Sequence, residues 1–233
     1  MKDNSAFAKA HSTPKKVSIA FYNLENLFDT EDDPNTLDDD FTSDGYKNWN
    51  DSRYSKKLNK LSRVISQIGF KETLQAPALL GVAEVENREV LLRLTETKDL
   101  KDLGYDVVHY DSPDERGIDV GLLYRKDYFE VIDSETVSVY LESEHGERDY
   151  TRDILHVTGN LQGVKIHVIV NHWPSRRSGV EESEPKRITA AQKNRSIIEN
   201  IQAEDPEARI IVMGDFNDGP HNNSIKNLSL IHI

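Results

Sequence analysis

Apolar residues along this chain fall in short blocks with two different periods. Residues 17–22, 78–83, 106–110, 119–124, 131–140, 154–160, 164–170 and 209–213 are short runs rich in Val, Ile, Leu and Tyr. Gly, Pro, Asn or Asp bound most of them, and each run predicts a β-strand. Gly163, between the sixth and seventh runs, marks a hairpin. Over residues 53–68 the period changes: Leu58, Leu61, Val64, Ile65 and Ile68 recur at helical spacing, with Gly69 as the stop. Val90, Leu91, Leu92 and Leu94 predict a second helix over 89–97, and 188–202 reads as a third. Residues 30–50 are acidic and rich in Asp, Asn and Pro, and 175–186 are polar and charged; both predict surface loops. Residues 1–16 read as a disordered tail. Mixed strands and helices, with several adjacent strands antiparallel, predict an α+β core of sheets flanked by helices.

The ends of the strands carry the chemistry. The run 209–213 is followed by Gly214-Asp215-Phe216-Asn217-Asp218, the run 17–22 by Asn23 and Glu25, the run 78–83 by Glu84, and the run 164–170 by Asn171 and His172. An apolar strand that ends in a carboxylate or carboxamide aims it out of the sheet rim, where α/β enzymes keep their sites. Each feature also has a plain structural reading. Glu84 could be a strand-end carboxylate paired with Lys or Arg, and Asn23 and Asp215 could each open an Asx turn. A turn needs one such residue, whereas here oxygen-bearing side chains recur with period two and share one face of the extended chain. His172 precedes Arg176 and Arg177, which suits either a phosphate contact or a basic surface loop. Arg116 could reach a phosphate and Asp119 could orient a histidine, although Asp114–Asp119 reads equally well as a charged turn.

Composition narrows the picture. At 233 residues, with 36% hydrophobic and 30% charged, the chain makes one large domain or two small ones, and neither a repeat nor a linker divides it. A net charge of −12 argues against a passive nucleic-acid coat, so any phosphate handling needs a local basic cleft or a metal ion. The chain has no cysteine, which excludes disulfides and thiolate chemistry. Clustered Glu, Asp and Asn oxygens then suit Mg²⁺ or Mn²⁺ better than zinc. No apolar stretch approaches the roughly 20 residues of a membrane span. The polar N-terminus lacks the apolar centre of a signal peptide, which favours the cytoplasm.

Five blocks, in order, resemble the endonuclease/exonuclease/phosphatase superfamily: Phe21-Tyr22-Asn23-Leu24-Glu25-Asn26-Leu27-Phe28, Val82-Ala83-Glu84-Val85-Glu86-Asn87, Arg116-Gly117-Ile118-Asp119-Val120-Gly121-Leu122-Leu123-Tyr124, Asn171-His172-Trp173-Pro174-Ser175-Arg176, and Gly214-Asp215-Phe216-Asn217-Asp218. The resemblance implies a four-layered α/β/β/α sandwich over residues 17–220, with the site at one rim. It implies Mg²⁺ or Mn²⁺ and hydrolysis of a phosphate ester by an in-line water. By position, Glu84 would be the principal metal ligand, with Asn23 and Glu25 completing the metal and phosphate network. Asp215 would orient the water, Asn217 would hold a phosphate oxygen, and His172 would hydrogen-bond the phosphate. Arg116, Asp119 and Arg176 would serve the substrate. The implied partner is a phosphate ester, nucleic acid first. A phosphomonoester, a lipid headgroup diester or a non-catalytic binding role are the alternatives.

One departure stands out. Members of the superfamily carry a terminal Ser-Asp-His segment, and His232 is not preceded by Ser-Asp. The expectation is therefore a fragment whose C-terminal strands are missing, with 221–233 as a tail of read-through origin. Marginal stability and impaired catalysis would follow.

Overall fold

The computed structural model describes residues 15–143, 145–177 and 179–229. The first strand, β1 (Ile19–Leu27), runs parallel to β2 (Leu79–Val85). Then β2 pairs antiparallel with β4 (Asp119–Arg125), and β4 with β3 (Tyr105–His109), giving the order β1-β2-β4-β3. A second four-stranded sheet has the order β10-β9-β8-β5. It contains β5 (Phe129–Val137), β8 (Ile154–Leu161), β9 (Val164–His172) and β10 (Ile210–Asp215), with β9 and β10 parallel. A two-residue turn joins β8 to β9. Gln162 and Gly163 both have positive φ, 50° and 84°, the backbone such a hairpin turn requires. Between these elements, β6 (Leu141–Glu142) and β7 (Arg148–Asp149) form a small separate hairpin.

Alternation along the strands separates two faces on each sheet. Leu79, Ala83, Val120 and Leu122 of the first sheet meet Leu155, Val157, Val168 and Val170 of the second in the inter-sheet core. Leu80, Val82, Val85 and Leu123 point the other way, against helices α1 (Asp51–Ile65) and α3 (Arg88–Thr95). Ile154 and Ile169, on the outer face of the second sheet, pack under the long helix α4 (Val180–Glu204). The order of layers is helices, sheet, sheet, helix: the expected α/β/β/α sandwich. Local signals explain the helix starts. Asn50 caps α1 by accepting the Arg53 N–H, and Asn87 caps α3 by accepting the Val90 N–H at 3.0 Å. A single short turn, α2 (Phe70–Thr73), follows Gly69.

Several boundaries differ from the sequence pattern: β1 runs on to Leu27, α1 ends at Ile65, and the largest difference is at α4. Residues 175–186 read as a loop, but α4 already begins at Val180 and carries Pro185 inside it. Its first turns bury a polar group rather than an apolar stripe. Arg187 is fully buried, with Nε 2.8 Å from Asp218 Oδ2 and an N–H donated to Ser183 Oγ at 2.6 Å. An ion pair between positions 31 apart in the chain leaves no periodic trace in sequence.

Of the tail expected over 1–16, residues 1–14 lie outside the described residues, as do 230–233 of the tail expected over 221–233. Ser224–Ser229 forms a helical turn, and Ile225 is buried with the α4 cluster.

Candidate active site

The parallel pairs bring the ends of β2, β9 and β10, and the irregularity that follows Asn23 within β1, to one rim. Asn23 is in register with Ala83, one residue before Glu84, and Asp215 is in register with His172. Side chains from both sheets therefore converge. The Asn23 amide donates to Glu84 Oε1 at 3.1 Å and to Asp215 Oδ2 at 3.2 Å. His172 Nε2 lies 3.8 Å from the same Glu84 oxygen. Backbone conformation aims these groups. Glu84, Glu25, Asn26 and Asn217 all have φ between 50° and 59°, a left-handed conformation that costs free energy in non-glycine residues and clusters at functional sites.

The charge balance of the centre is unusual. Glu84 and Asp215 are half-buried carboxylates that share one neutral amide group. Among the described residues no Lys or Arg lies within 4.0 Å of either one. His172 does not supply the missing charge. Burial, then the charges of Arg152 and Arg116, lower its pKa to about 2, so the ring is neutral. Two neighbouring carboxylates without a cationic side chain fit a hard divalent cation, while the Asn23 amide, with its NH₂ turned toward them, orients them. Glu84 could hold such a cation, with Asp215 beside it to position a water.

The remaining predicted residues take specific places. Glu25 donates its backbone N–H to Asn23 Oδ1 at 2.8 Å, which turns the Asn23 amide nitrogen toward the carboxylates; its own carboxylate is exposed at the rim. Lys57 on α1 binds the carbonyls of Glu25 and Asn26 at 2.5 and 2.9 Å. Burial brings that lysine down to about 8, against the pull of the Glu25 and Glu84 charges. Asn217 donates its backbone N–H to Asp215 Oδ1 at 3.0 Å and its amide to the Trp173 carbonyl at 2.9 Å. Arg176 is bound to the Asn217 carbonyl and to Asp218, at 2.5 and 2.8 Å. Arg116 forms a two-pronged pair with Asp114 at 3.0 and 3.1 Å. Asp119 takes the Ser112 N–H at 2.8 Å and lies 3.1 Å from His109, so the histidine beside it is not His172.

Arg152 is the residue whose importance the sequence understates. Its buried guanidinium donates to the carbonyls of His172 and Trp173, at 3.2 and 2.7 Å, and to Asp114 at 2.9 Å. Burial alone would raise the Asp114 carboxyl, but the bonds and charges of Arg116 and Arg152 outweigh it and hold it below its ordinary value. Asn171, adjacent to His172, turns inward instead. It is fully buried and accepts the Trp173 indole N–H at 3.0 Å.

Fold and rim together define a two-sheet α/β/β/α sandwich protein with acidic and amide side chains gathered at one rim. The chain belongs to the endonuclease/exonuclease/phosphatase family, whose model matches residues 18–230. Its fold is similar to that of the human Nocturnin catalytic domain, with 18% identity and a TM-score of 0.53 over 73% of this chain and 60% of that one. It is similar to truncated TDP2 from Caenorhabditis elegans, at 20% identity and a TM-score of 0.51, over 71% of this chain and 56% of that one. A Bacteroides thetaiotaomicron protein of the same family aligns at 17% identity and a TM-score of 0.53, over 88% of this chain and 63% of that one. This chain thus spans less than two thirds of each of these structures. A search of curated protein sequences returns no match. No described helix is long and apolar enough to cross a membrane.

Proposed function

We propose that the rim centre binds a divalent cation and hydrolyses phosphodiesters, with nucleic acid as the substrate class. One observation carries this reading: Glu84 and Asp215 converge on a single neutral amide, with no cationic side chain within 4.0 Å among the described residues. A bound Mg²⁺ or Mn²⁺ would neutralise charge on the phosphoryl oxygens. The chain's own groups do the rest. Asp215 Oδ1 is fixed by the Asn217 N–H, and Oδ2, steadied by the Asn23 amide, would orient a water through its remaining lone pair and accept its proton. His172, held neutral by burial, offers a hydrogen bond to a phosphate oxygen without carrying charge. Arg152 fixes the backbone on which that ring sits.

The neighbouring cleft supports a polyanionic substrate. Arg53, Lys56, Lys57 and Lys60 line it from α1, beside Asn23 and Glu25. In a chain of net charge −12 this is a local concentration of positive charge next to the centre. Phosphomonoesters and lipid headgroups have no comparable length of backbone charge to meet it.

The test is hydrolysis of plasmid DNA, an aryl phosphodiester and an aryl phosphomonoester, with Mg²⁺ and with EDTA. Diester cleavage should require the metal and should fall about 10²–10³-fold in Glu84→Gln, the scale of losing one principal charge-stabilising group. Cleavage that persists in EDTA, or is unchanged in Glu84→Gln, would remove the metal assignment. Preference for the monoester would redirect the substrate class.

A further inference from the structure

A second set of cation-binding groups lies outside the Glu84 centre. His109 ends β3, Asp119 begins β4, and Asp111 lies in the connection between them. One ligand atom from each of the three lies within 4.8 Å of the others. Both inner side chains are sealed from solvent: His109 is 2% exposed and Asp119 4%. Asp111 is 90% exposed and lies by the other ring nitrogen, with Oδ1 3.9 Å from His109 Nδ1, so its free side chain would swing toward Nε2 to complete the set.

The His109 ring has no good alternative occupation. Its Nε2 is buried 3.1 Å from Asp119 Oδ2, which is its one close polar neighbour among the described residues, and the two do not make a well-directed hydrogen bond. Two ligands of one cation stand at this separation. Bond lengths of about 2.0–2.2 Å place two such donors about 3–3.5 Å apart. A further buried carboxylate adds to the demand for positive charge. Asp153 Oδ1 has no partner, and the Asp153 and Asp119 charges oppose each other. Among the described residues neither has Lys or Arg within 4.0 Å, and two neighbouring buried carboxylates without a cationic side chain are costly.

We infer that His109, Asp111 and Asp119 form a second divalent cation site, of the zinc type. An imidazole with two carboxylates suits Zn²⁺, whereas the all-oxygen centre at Glu84 suits Mg²⁺ or Mn²⁺. The site goes beyond the reading given to the Glu84 centre and does not depend on it. Its ligands tie the end of one strand, the start of the next and the connection between them. Asp119 Oδ1 already holds Ser112 in that connection, which continues to Asp114 and Arg116. A cation there would steady the segment whose Asp114 pairs with Arg152 under His172.

The experiment uses the full chain carrying Glu84→Gln and Asp215→Asn, which silences the rim centre. The protein is stripped with chelator, dialysed against Zn²⁺ and assayed for bound metal by elemental mass spectrometry. Roughly one Zn²⁺ per chain is expected, with a higher melting temperature when loaded. Adding Asp111→Asn should weaken binding about tenfold and His109→Gln about 100-fold. Because Asp111 is exposed, its substitution tests the ligand set without threatening the fold. Equal Zn²⁺ content in all three proteins, or none in the starting protein, would overturn the assignment.

Discussion

His172 acts as a neutral group because of residues distant in the chain. In an unfolded chain its pKa is near 6.5. In the folded protein burial and the charges of Arg152 and Arg116 bring it to about 2. Between those values the unfolded state holds a proton that the folded state does not. Stability contributed by this residue is therefore complete above pH 6.5 and falls as pH drops from there toward 2, by up to about 1.4 kcal/mol per pH unit. Urea midpoints at pH 7 and pH 5 should separate more in the wild type than in His172→Gln; equal separations would contradict the shift. At this scale the strand ends were legible. Asn23, Glu84, His172 and Asp215 each follow an apolar run, and a run's end shows where a side chain leaves the sheet. What they touch was less so. Arg152 precedes β8 in an ordinary polar stretch, and its bonds to the His172 and Trp173 carbonyls depend on packing that no local pattern encodes. Arg116 and Arg176, both expected at the substrate, are engaged by Asp114 and Asp218.

Single contacts hold the elements that position the site. Gly214 ends the apolar part of β10, where a Cβ would meet the Asn171 carbonyl oxygen at 2.3 Å on the neighbouring strand. Gly214→Ala should force the two strands apart just before Asp215, cost about 1–3 kcal/mol and reduce turnover. The denaturant midpoint and rate measured together check this, and an unaffected midpoint would refute it. Behind the same turn, Arg187 on α4 and Asp218 form a buried ion pair. Arg187→Met should cost about 3–5 kcal/mol, because Asp218 keeps a charge with less to meet it. Arg176 and Ser224 still contact that carboxylate, so a loss near 3 is the expected end of the range. Chemical denaturation reads it directly. This pair also explains why the start of α4 was hidden: Ser183 and Arg187 face inward where a periodic pattern would need apolar residues. By contrast α1 carries Leu58, Leu61 and Ile65 on its buried side, and its spacing was readable.

Across the whole molecule, the two sheets are joined by side chains that alternate to the inner face. Tyr124 on the first sheet meets Phe129 on the second edge to face, with ring centres 5.8 Å apart. Phe129 also fills the space above Gly159, where a Cβ would come within 2.2 Å of its ring. Phe129→Ala should cost about 3–5 kcal/mol and leave the transition cooperative, as expected for a core shared by both sheets. Guanidinium unfolding followed by fluorescence and circular dichroism tests both points; separate transitions would mean that the sheets unfold independently. The layered architecture was visible in sequence as the alternation of strand runs and helical spacing. The pairing order was not, because register across a sheet is set by partners far apart in the chain. The left-handed backbone at Glu84 has a consequence for the whole chain's resilience. A glutamate at φ 58° gives up free energy that a glycine would keep. Glu84→Gly should therefore yield an inactive protein that melts above its parent, and a melting point below it would show that the residue's contacts outweigh its strain. If so, robustness and the proposed cation site pull in opposite directions at this position, and a lineage released from that proposed role would gain by abandoning the glutamate.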